Sequence, residues 1–428
     1  MKYPMEKYLK KLSQELQDVM ALAGELAGNR GARAYLVGGF VRDLLLGVDN
    51  LDLDIALEGD GIRFAEAFAK RMNAQVVCHK RFGTAKVNIS HLLKVDIAST
   101  RKESYPHPAS LPLVERGLLE DDLIRRDFTI NTLAISLNRQ DFGRLLDVFD
   151  GKRDIRHKFI RILHDASFVD DPTRILRAIR FEQRYGFRIE PHTMSCLRKA
   201  LKQDMLDVVQ PQRLRQELVL MLSEKEPWKP IRRMQEITGL DFLDPGLAFS
   251  KDTLDLFRSA GRQIRWFESN FPRRRRLDAW LIYLMTLLGG SSEAVTSRIC
   301  RKFVFSKGEE KRIASFVSLK ADILAKLSRK KLLPSDVFHM LESLSYEAIL
   351  LIKACCRDRL AQRRIEDFFH KYNGTNLSVG GRHLKDLGFV PGPHFQKIFR
   401  ELLNEKLNGR LKGREDEMRF LKKLKKDK

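Results

Sequence analysis

The chain has 428 residues, 43% of them apolar, and a formal net charge of +23. That length supports several domains and a substantial core, and the apolar content excludes wholesale disorder. The charge predicts a polyanionic partner, nucleic acid or an anionic membrane surface; no apolar run is long enough to span a bilayer, which favours nucleic acid.

Residues 5–28 read as one amphipathic helix, with Tyr8, Leu9, Leu12, Leu16, Val19 and Leu22 at helical spacing. The opening Met1-Lys2-Tyr3-Pro4-Met5-Glu6 lacks the pattern of a signal peptide, and a cytoplasmic location is expected. From Ala34 to about Phe149, short strands (Ala34–Val37, Leu51–Leu57, Gln75–Val77, Ala85–Ile89, Lys94–Ala98) mix with helices, Phe64–Met72 and Asp127–Ile135 among them. Between Asp96 and Arg125, the proline-punctuated stretch Arg101–Pro112 reads as a mobile lid loop. After Lys152 the strand signal fades. Pro172–Tyr185, Pro191–Ala200, Pro211–Leu222 and Trp228–Thr238 read as helices separated by Pro, Gly or Asp breaks, and helices continue to a basic end, Lys422–Lys428, that frays. The fold class expected is α+β: a head with a small mixed sheet and helices, then an elongated all-α neck, body and tail. Boundaries fall near residues 155, 225 and 370.

The five cysteines (Cys78, Cys196, Cys300, Cys355, Cys356) form no CxxC pair and no Cys/His cluster with zinc spacing, so they read as reduced, buried thiols. His164-Asp165 reads as a turn pair, because the further His and Asp ligands of a metal-dependent phosphohydrolase are not found.

Four stretches carry chemistry. An apolar strand ends in Gly38-Gly39 before a helical segment, where backbone N–H groups can receive a phosphate; Arg42 lies one turn inside that helix, placed to pair with a triphosphate oxygen. Asp52 and Asp54 are two apart on a strand, so they share a face while Leu51, Leu53 and Ile55 point into a core. Two adjacent carboxylates repel unless something positive sits between them, and a pair of hard divalent cations is the natural occupant. Asp96, inside apolar Val95-Asp96-Ile97, is a third ligand or half of a structural ion pair.

The third stretch, Glu120 to Asn131, mixes acids and arginines. It reads as a capped, salt-bridged surface helix, or as Arg126 on a nucleotide with Asp127 and Asn131 positioning sugar or loop groups. The fourth runs from Asp170 to Phe181. Asp171 before Pro172 explains itself as a helix start. Arg174, Arg177 and Arg180, rising at threefold spacing, suit a row of anions, and a guanidinium or carboxylate can also read a base edge.

Taken together, Val37-Gly38-Gly39-x-Val41-Arg42-Asp43, Asp52-x-Asp54, Arg125-Arg126-Asp127-Phe128-Thr129-Ile130-Asn131 and Asp171-Pro172-x-Arg174-x-x-Arg177-Ala178-x-Arg180-Phe181 resemble the class II tRNA nucleotidyltransferase and bacterial poly(A) polymerase family of the DNA polymerase beta superfamily. The signature covers roughly residues 30–190; Gly388-Phe389-x-Pro391-Gly392-Pro393 resembles the family's C-terminal helices, and about 230–370 matches only in being helical.

The resemblance implies a nucleotidyltransferase head at 1–155, a base-recognition neck at 156–225, and RNA-binding body and tail at 226–370 and 371–428. It implies Gly38, Gly39 and Arg42 on the nucleotide phosphates and Asp52 and Asp54 around two Mg²⁺ (Mn²⁺ as substitute), with Asp96 the candidate third acid of the catalytic set. Arg126 would contact the nucleotide, Asp171 and Arg174 would read the base, and Arg177 and Arg180 would stand near sugar and phosphates. The usual family Glu before Asp171 is Asp170 here, a shorter arm that bears on the choice between CTP and ATP. The Arg101-Lys102-Glu103-x-Tyr105 lid looks more like adenine-adding or partial-activity members.

The expected function is template-independent addition of A, CC or CCA from ATP and CTP to the acceptor-arm 3′ end of tRNA. A poly(A) polymerase and an inactive RNA-binding protein are the alternatives. Arg273-Arg274-Arg275-Arg276, Arg329-Lys330-Lys331 and the final lysines read as RNA phosphate contacts. The oligomeric state is not set by the sequence.

Overall fold

Apolar residues alternating along short β-branched segments build a sheet in the first part of the chain. The structure, a computed structural model, describes residues 5–80, 83–90 and 93–426. It divides into two compact units, Met1–Glu217 and Leu218–Lys428.

In the first unit, α1 (Glu6–Leu9) and α2 (Gln14–Gly28) precede β1 (Arg33–Val37), α3 (Gly39–Leu46), β2 (Asp52–Glu58), α4 (Gly61–Arg71), β3 (Gln75–His79), β4 (Thr84–Asn88) and β5 (Lys94–Ser99). Then come β6 (Arg101–Ser104), β7 (Leu113–Arg116), α5 (Leu119–Ile124), β8 (Ala134–Ser136) and β9 (Leu145–Leu146). Among the described residues, seven strands form one sheet in the order β3-β4-β5-β2-β1-β8-β9. Only β2 and β5 in that order run parallel.

The two faces of the sheet differ. Leu36, Leu53, Ile55 and Leu57 point into the main core with Val19 and Met20 of α2, Phe64 and Phe68 of α4, and Phe40 and Val41 of α3. Tyr35, Val37 and Ala56 point the other way, into a small cluster with Leu119 and Leu123 of α5. That second face is only partly covered, and Asp52 and Asp54 share its parity.

Three expectations are corrected. The helix foreseen over 5–28 is broken, because the Ser13 hydroxyl accepts from Leu16 N–H and starts α2 afresh. Asp127–Ile135 is not a helix: it is a short 3₁₀ turn at Thr129–Asn131 followed by β8. Phe128, Ile130, Leu133 and Ile135 are all fully buried there, so no side is left for a solvent-facing stripe. The stretch foreseen as a lid loop is in part a hairpin, β6 pairing antiparallel with β7 from Arg101↔Arg116 to Ser104↔Leu113.

The unit continues with α6 (Gly151–His157), β10 (Phe159–Ile160), α7 (Ser167–Asp170), α8 (Thr173–Tyr185), β11 (Arg188–Ile189), α9 (Pro191–Lys202) and α10 (Pro211–Leu222), the last of which contains the boundary between units. β10 and β11 form a small parallel pair.

The described residues of the second unit are helical. Lys251–Asn270, Ala279–Leu287, Lys307–Leu327 and Tyr346–Cys355 pack together, around rings such as Phe267, Phe271 and Phe369. A separate small core of Val379, Leu384, Ile398, Leu402 and Leu421 holds the C-terminal helices. The four-arginine run is divided. Arg274 donates to Phe369 O and Asn373 O, and Arg275 binds Glu347, while Arg273 and Arg276 stay exposed. No helix is long and apolar enough to cross a membrane.

Candidate active site

The carboxylates follow from strand register. Asp54 of β2 lies directly beside Asp96 of β5, and Asp96 beside Lys86 of β4, with Lys86 Nζ 3.1 Å from Asp96. Asp96 thus has a lysine partner while standing next to Asp54. Burial pushes the Asp54 carboxyl up to about 6; Arg126 pulls the other way, and the charges of Asp96 and Asp52 add to the rise. A carboxylate raised by burial and by like charges is short of positive charge. With Asp52 exposed two residues away, the all-oxygen donor set suits a hard divalent cation.

The turn that faces these acids needs glycine. Gly38 has φ +69°, and a Cβ there would lie 2.8 Å from Arg126 Nη1 and 3.4 Å from Asp54 Oδ2. The Arg126 guanidinium therefore sits close against the start of α3. It is held by Asp122 Oδ2 at 2.9 Å, and its buried Nε has no hydrogen-bond partner. The side chain as a whole is 18% exposed, so part of the guanidinium stays within reach of an incoming anion. Asp122 itself is buried. That burial alone would raise its carboxyl, but Arg126 and Arg125 outweigh it and hold the carboxyl below the usual range.

The other arginines expected on the nucleotide are tied into one network. Arg42 is buried; it donates to Asp43 Oδ1 at 2.8 Å and to Asn131 Oδ1 at 2.6 Å, and lies 4.6 Å from the Tyr185 ring. Asn131 donates to Asp127 Oδ1. Arg177 donates twice to Asp127 Oδ2, at 2.6 and 2.9 Å, and once to Glu217; Arg180 also binds Glu217. At the other end Asn50 donates to Asp43 and accepts from the Asp52 N–H. The anions met by Arg177 and Arg180 are the chain's own carboxylates. Asp127 and Asn131 are both engaged by these arginines. Burial alone would raise Asp127, but Arg177 and the Asn131 hydrogen bond bring its carboxyl down to about 2.

Asp171 and Arg174 form a further wall. Asp171 Oδ1 accepts from the Thr173 N–H and hydroxyl and from Arg213 Nη2 at 2.8 Å. Arg174 donates to Ser167 Oγ and Arg125 O, both at 2.7 Å. Glu103 and Tyr105 of the lid stretch reach the same space, with the Tyr105 hydroxyl donating to Glu103 at 3.1 Å and Arg125 bridging Glu103 and Asp122. Burial, with Glu103 adding to it, pushes the Tyr105 hydroxyl up to about 12.

A cavity of about 520 Å³ joins these groups: Gly38, Gly39, Asp54 and Arg126 on one side, Asp171 and Arg174 on another, with Arg42 and Arg177 between. That volume lies within the ordinary range for a ligand cleft, about 300–1,000 Å³. Asp96 lines an adjoining cavity that also touches Asp54 and Arg126. The expected residues thus converge, except that Asp52, Asp96 and Arg180 do not line the main cavity.

Sequence reasoning missed Arg213 and Glu217. Both sit on α10, where they look like ordinary polar positions of an amphipathic helix, and their partners are about 40 residues away along the chain. Glu217 could have been sought as the acid needed by two buried arginines. Nothing local marks Arg213, whose buried Nη1 also has no hydrogen-bond partner.

The poly A polymerase head domain family matches residues 34–161, and a probable RNA and SrmB-binding site of polymerase A matches residues 186–250. The chain is 40% identical over 395 residues to an A-adding tRNA nucleotidyltransferase of Geobacter sulfurreducens, covering 91% of this chain but only 45% of that relative. A second, from Halalkalibacterium halodurans, is 30% identical over 420 residues, 96% of this chain and 93% of its own length. The solved Thermotoga maritima CCA-adding enzyme complexed with tRNA is 32% identical and superposes with a TM-score of 0.73 over 100% of both chains. The chain therefore spans less than half of the first of these relatives but nearly all of the second. On that match, and on a head whose Asp54, glycine turn and arginines meet in one cleft, the chain belongs to the family of tRNA nucleotidyltransferases with a poly(A) polymerase-type head.

Proposed function

We propose that the chain adds nucleotides, adenosine in preference, to the 3′ end of tRNA. The observation that carries this is Arg126, close to both the Gly38 turn and Asp54 and lining a cleft whose far wall is Asp171 and Arg174. The triphosphate is received by the N-terminal amides of α3 and by Arg126. The base meets Asp171 as acceptor and Arg174 as donor. Adenine and cytosine both offer an exocyclic amino donor beside a ring-nitrogen acceptor, so one donor–acceptor pair suits both.

Asp52 and Asp54 would hold Mg²⁺, and the burial-raised Asp54 fits that occupant. When bound, two such ions supply a lowered pKa for the attacking 3′-hydroxyl and charge neutralisation for the departing pyrophosphate. Asp96, paired with Lys86 beside Asp54, acts from the same face of the sheet. Phosphate contacts from the basic second half grip the tRNA, so affinity falls steeply with salt. The chemistry belongs to a cytoplasmic, tRNA-processing setting.

Adenosine is preferred because the relatives are named A-adding. The test offers tRNAs ending at the discriminator base, at C and at CC, with CTP alone, ATP alone or both. The expected product is one adenosine on the CC-ended tRNA. Addition of C overturns the preference for A, long tails on any RNA indicate a poly(A) polymerase, and Mg²⁺-independent binding without incorporation overturns the enzyme reading.

A further inference from the structure

Away from the cleft, three metal-ligating side chains meet on the surface of the first unit. α9 is capped by Glu190, whose carboxylate accepts from Thr193 N–H. It carries His192 and Cys196 one turn apart, hence on one face. Asp165 reaches the same point from the segment just before α7. His192 Nε2 is 2.7 Å from Asp165 Oδ1 and 3.7 Å from Cys196 Sγ, and the three ligand atoms all lie within 4.8 Å of one another. Asp165 and His192 are exposed, and Cys196 closes the floor.

Cys, His and Asp together invite comparison with a nucleophilic triad, and the geometry rejects it. A triad needs the acid on one ring nitrogen and the sulfur on the other. Here both partners face Nε2. Donors converging on one point instead suit a shared cation. Around a tetrahedral zinc, nitrogen and sulfur ligands stand about 3.5 Å apart, close to the observed 3.7 Å. The His192–Asp165 hydrogen bond of 2.7 Å has to open by about half an ångström to admit an ion, a small change for an exposed pair. The sulfur–nitrogen–oxygen set discriminates against Mg²⁺ and Ca²⁺, which take oxygen ligands.

We propose that Asp165, His192 and Cys196 form a binding site for a zinc-type divalent cation, with the fourth position left to water. Glu190 is not that fourth ligand, because it is already committed to Thr193 and Arg161. On binding, the Cys196 thiol releases its proton to solvent and the thiolate takes the metal. The ion then ties the segment leading to Asp171 onto α9, so a cation distinct from the catalytic pair stiffens the approach to the base-reading wall.

Cobalt(II) is the probe. Metal-stripped full-length protein titrated with Co²⁺ is expected to develop a thiolate-to-cobalt charge-transfer absorption that saturates at one equivalent and is displaced by Zn²⁺. Cys196→Ser should abolish the absorption, and His192→Asn and Asp165→Asn should each weaken Co²⁺ binding about 10-fold or more. Asp52 and Asp54 cannot produce this signal, since they offer no sulfur. Absence of the absorption, or its survival in Cys196→Ser, overturns the proposal. As a check independent of the cysteine variant, Zn²⁺ should raise the thermal midpoint of the wild-type protein but not of His192→Asn, provided the two metal-free midpoints agree. An equal rise in both overturns the site, and unequal metal-free midpoints leave the decision to the Co²⁺ titration of the wild type and Asp165→Asn.

Discussion

Asp127 holds together the part of the first unit where the sequence motifs meet, and its removal has a calculable cost. Asp127→Asn keeps the size of the side chain and the acceptor for Phe128 N–H, but removes the charge that Arg177 grips from 2.6 Å. The carboxyl is displaced from its ordinary 3.8 to about 2 in the folded chain. At about 1.4 kcal/mol per unit, the displacement corresponds to about 2 kcal/mol of stability. The sign is that of a depressed acid: the contribution is fully present above about pH 4, where the unfolded carboxyl is also ionised, and is lost as pH falls toward 2. All three tryptophans, Trp228, Trp266 and Trp280, lie in the second unit, so hydrogen exchange of the β8 and Thr129–Asn131 amides is a better readout than fluorescence. Opening of these amides should become about 2 kcal/mol easier in Asp127→Asn at pH 7, and the gap to wild type should close on acidification from about pH 4. A gap that stays constant down to the lowest pH at which the protein is folded, or one below about 0.5 kcal/mol at pH 7, refutes the account of this pair.

Three further outcomes are expected. Asp52→Ala should abolish Mg²⁺-dependent incorporation while tRNA affinity in a filter-binding assay stays within about twofold; a parallel loss of binding counts against the metal assignment. Gly38→Ala forces a side chain into left-handed backbone 2.8 Å from Arg126 Nη1, so the nucleotide KM should rise several-fold and stability should fall by about 1–3 kcal/mol; an unchanged KM removes Arg126 from the triphosphate. Arg213→Gln removes one of three donors from Asp171 Oδ1 and should shift the ratio of ATP to CTP incorporation more than it alters RNA affinity. An unchanged ratio disposes of Arg213 as a selectivity residue.

The parts of the fold that could be read in advance are those whose physics is local. The period-two pattern around Asp52 and Asp54 and the paired glycines after Val37 declare a strand and a turn by themselves. Pro211–Leu222 is likewise bounded by its own proline and apolar spacing. The failures share a different cause. β6 and β7 have four residues each, largely exposed, and the prolines at 106, 108 and 112 between them signal only a loop. Asp127–Ile135 has a helix-like mix of residues, but tertiary burial on every side overrides it. The arginine ladder was legible as a row of cations, but not its partners: Arg177 meets Asp127 from 50 positions away and Glu217 from 40. Asp165 and His192 fell outside any pattern for the same reason, since only folding brings the acid to the His-x-x-x-Cys face of α9.

The hydrogen-bonded path from Asn50 through Asp43, Arg42, Asn131, Asp127 and Arg177 to Glu217 has a consequence for how such a chain can vary. Nearly every link is a donor serving one buried acceptor, so a single replacement leaves its neighbour stranded, while replacing two adjacent members together strands less. Effects of substitutions along this path should therefore be strongly non-additive, and a harmful change at one position should be rescued by a change at the next. Drift in sequence at these positions would proceed in coupled pairs. Asp170 and Arg213 stand off the path, and can be exchanged singly without breaking it. Diversification of which nucleotide is accepted is then easiest at its margin, while the wiring beneath it stays fixed.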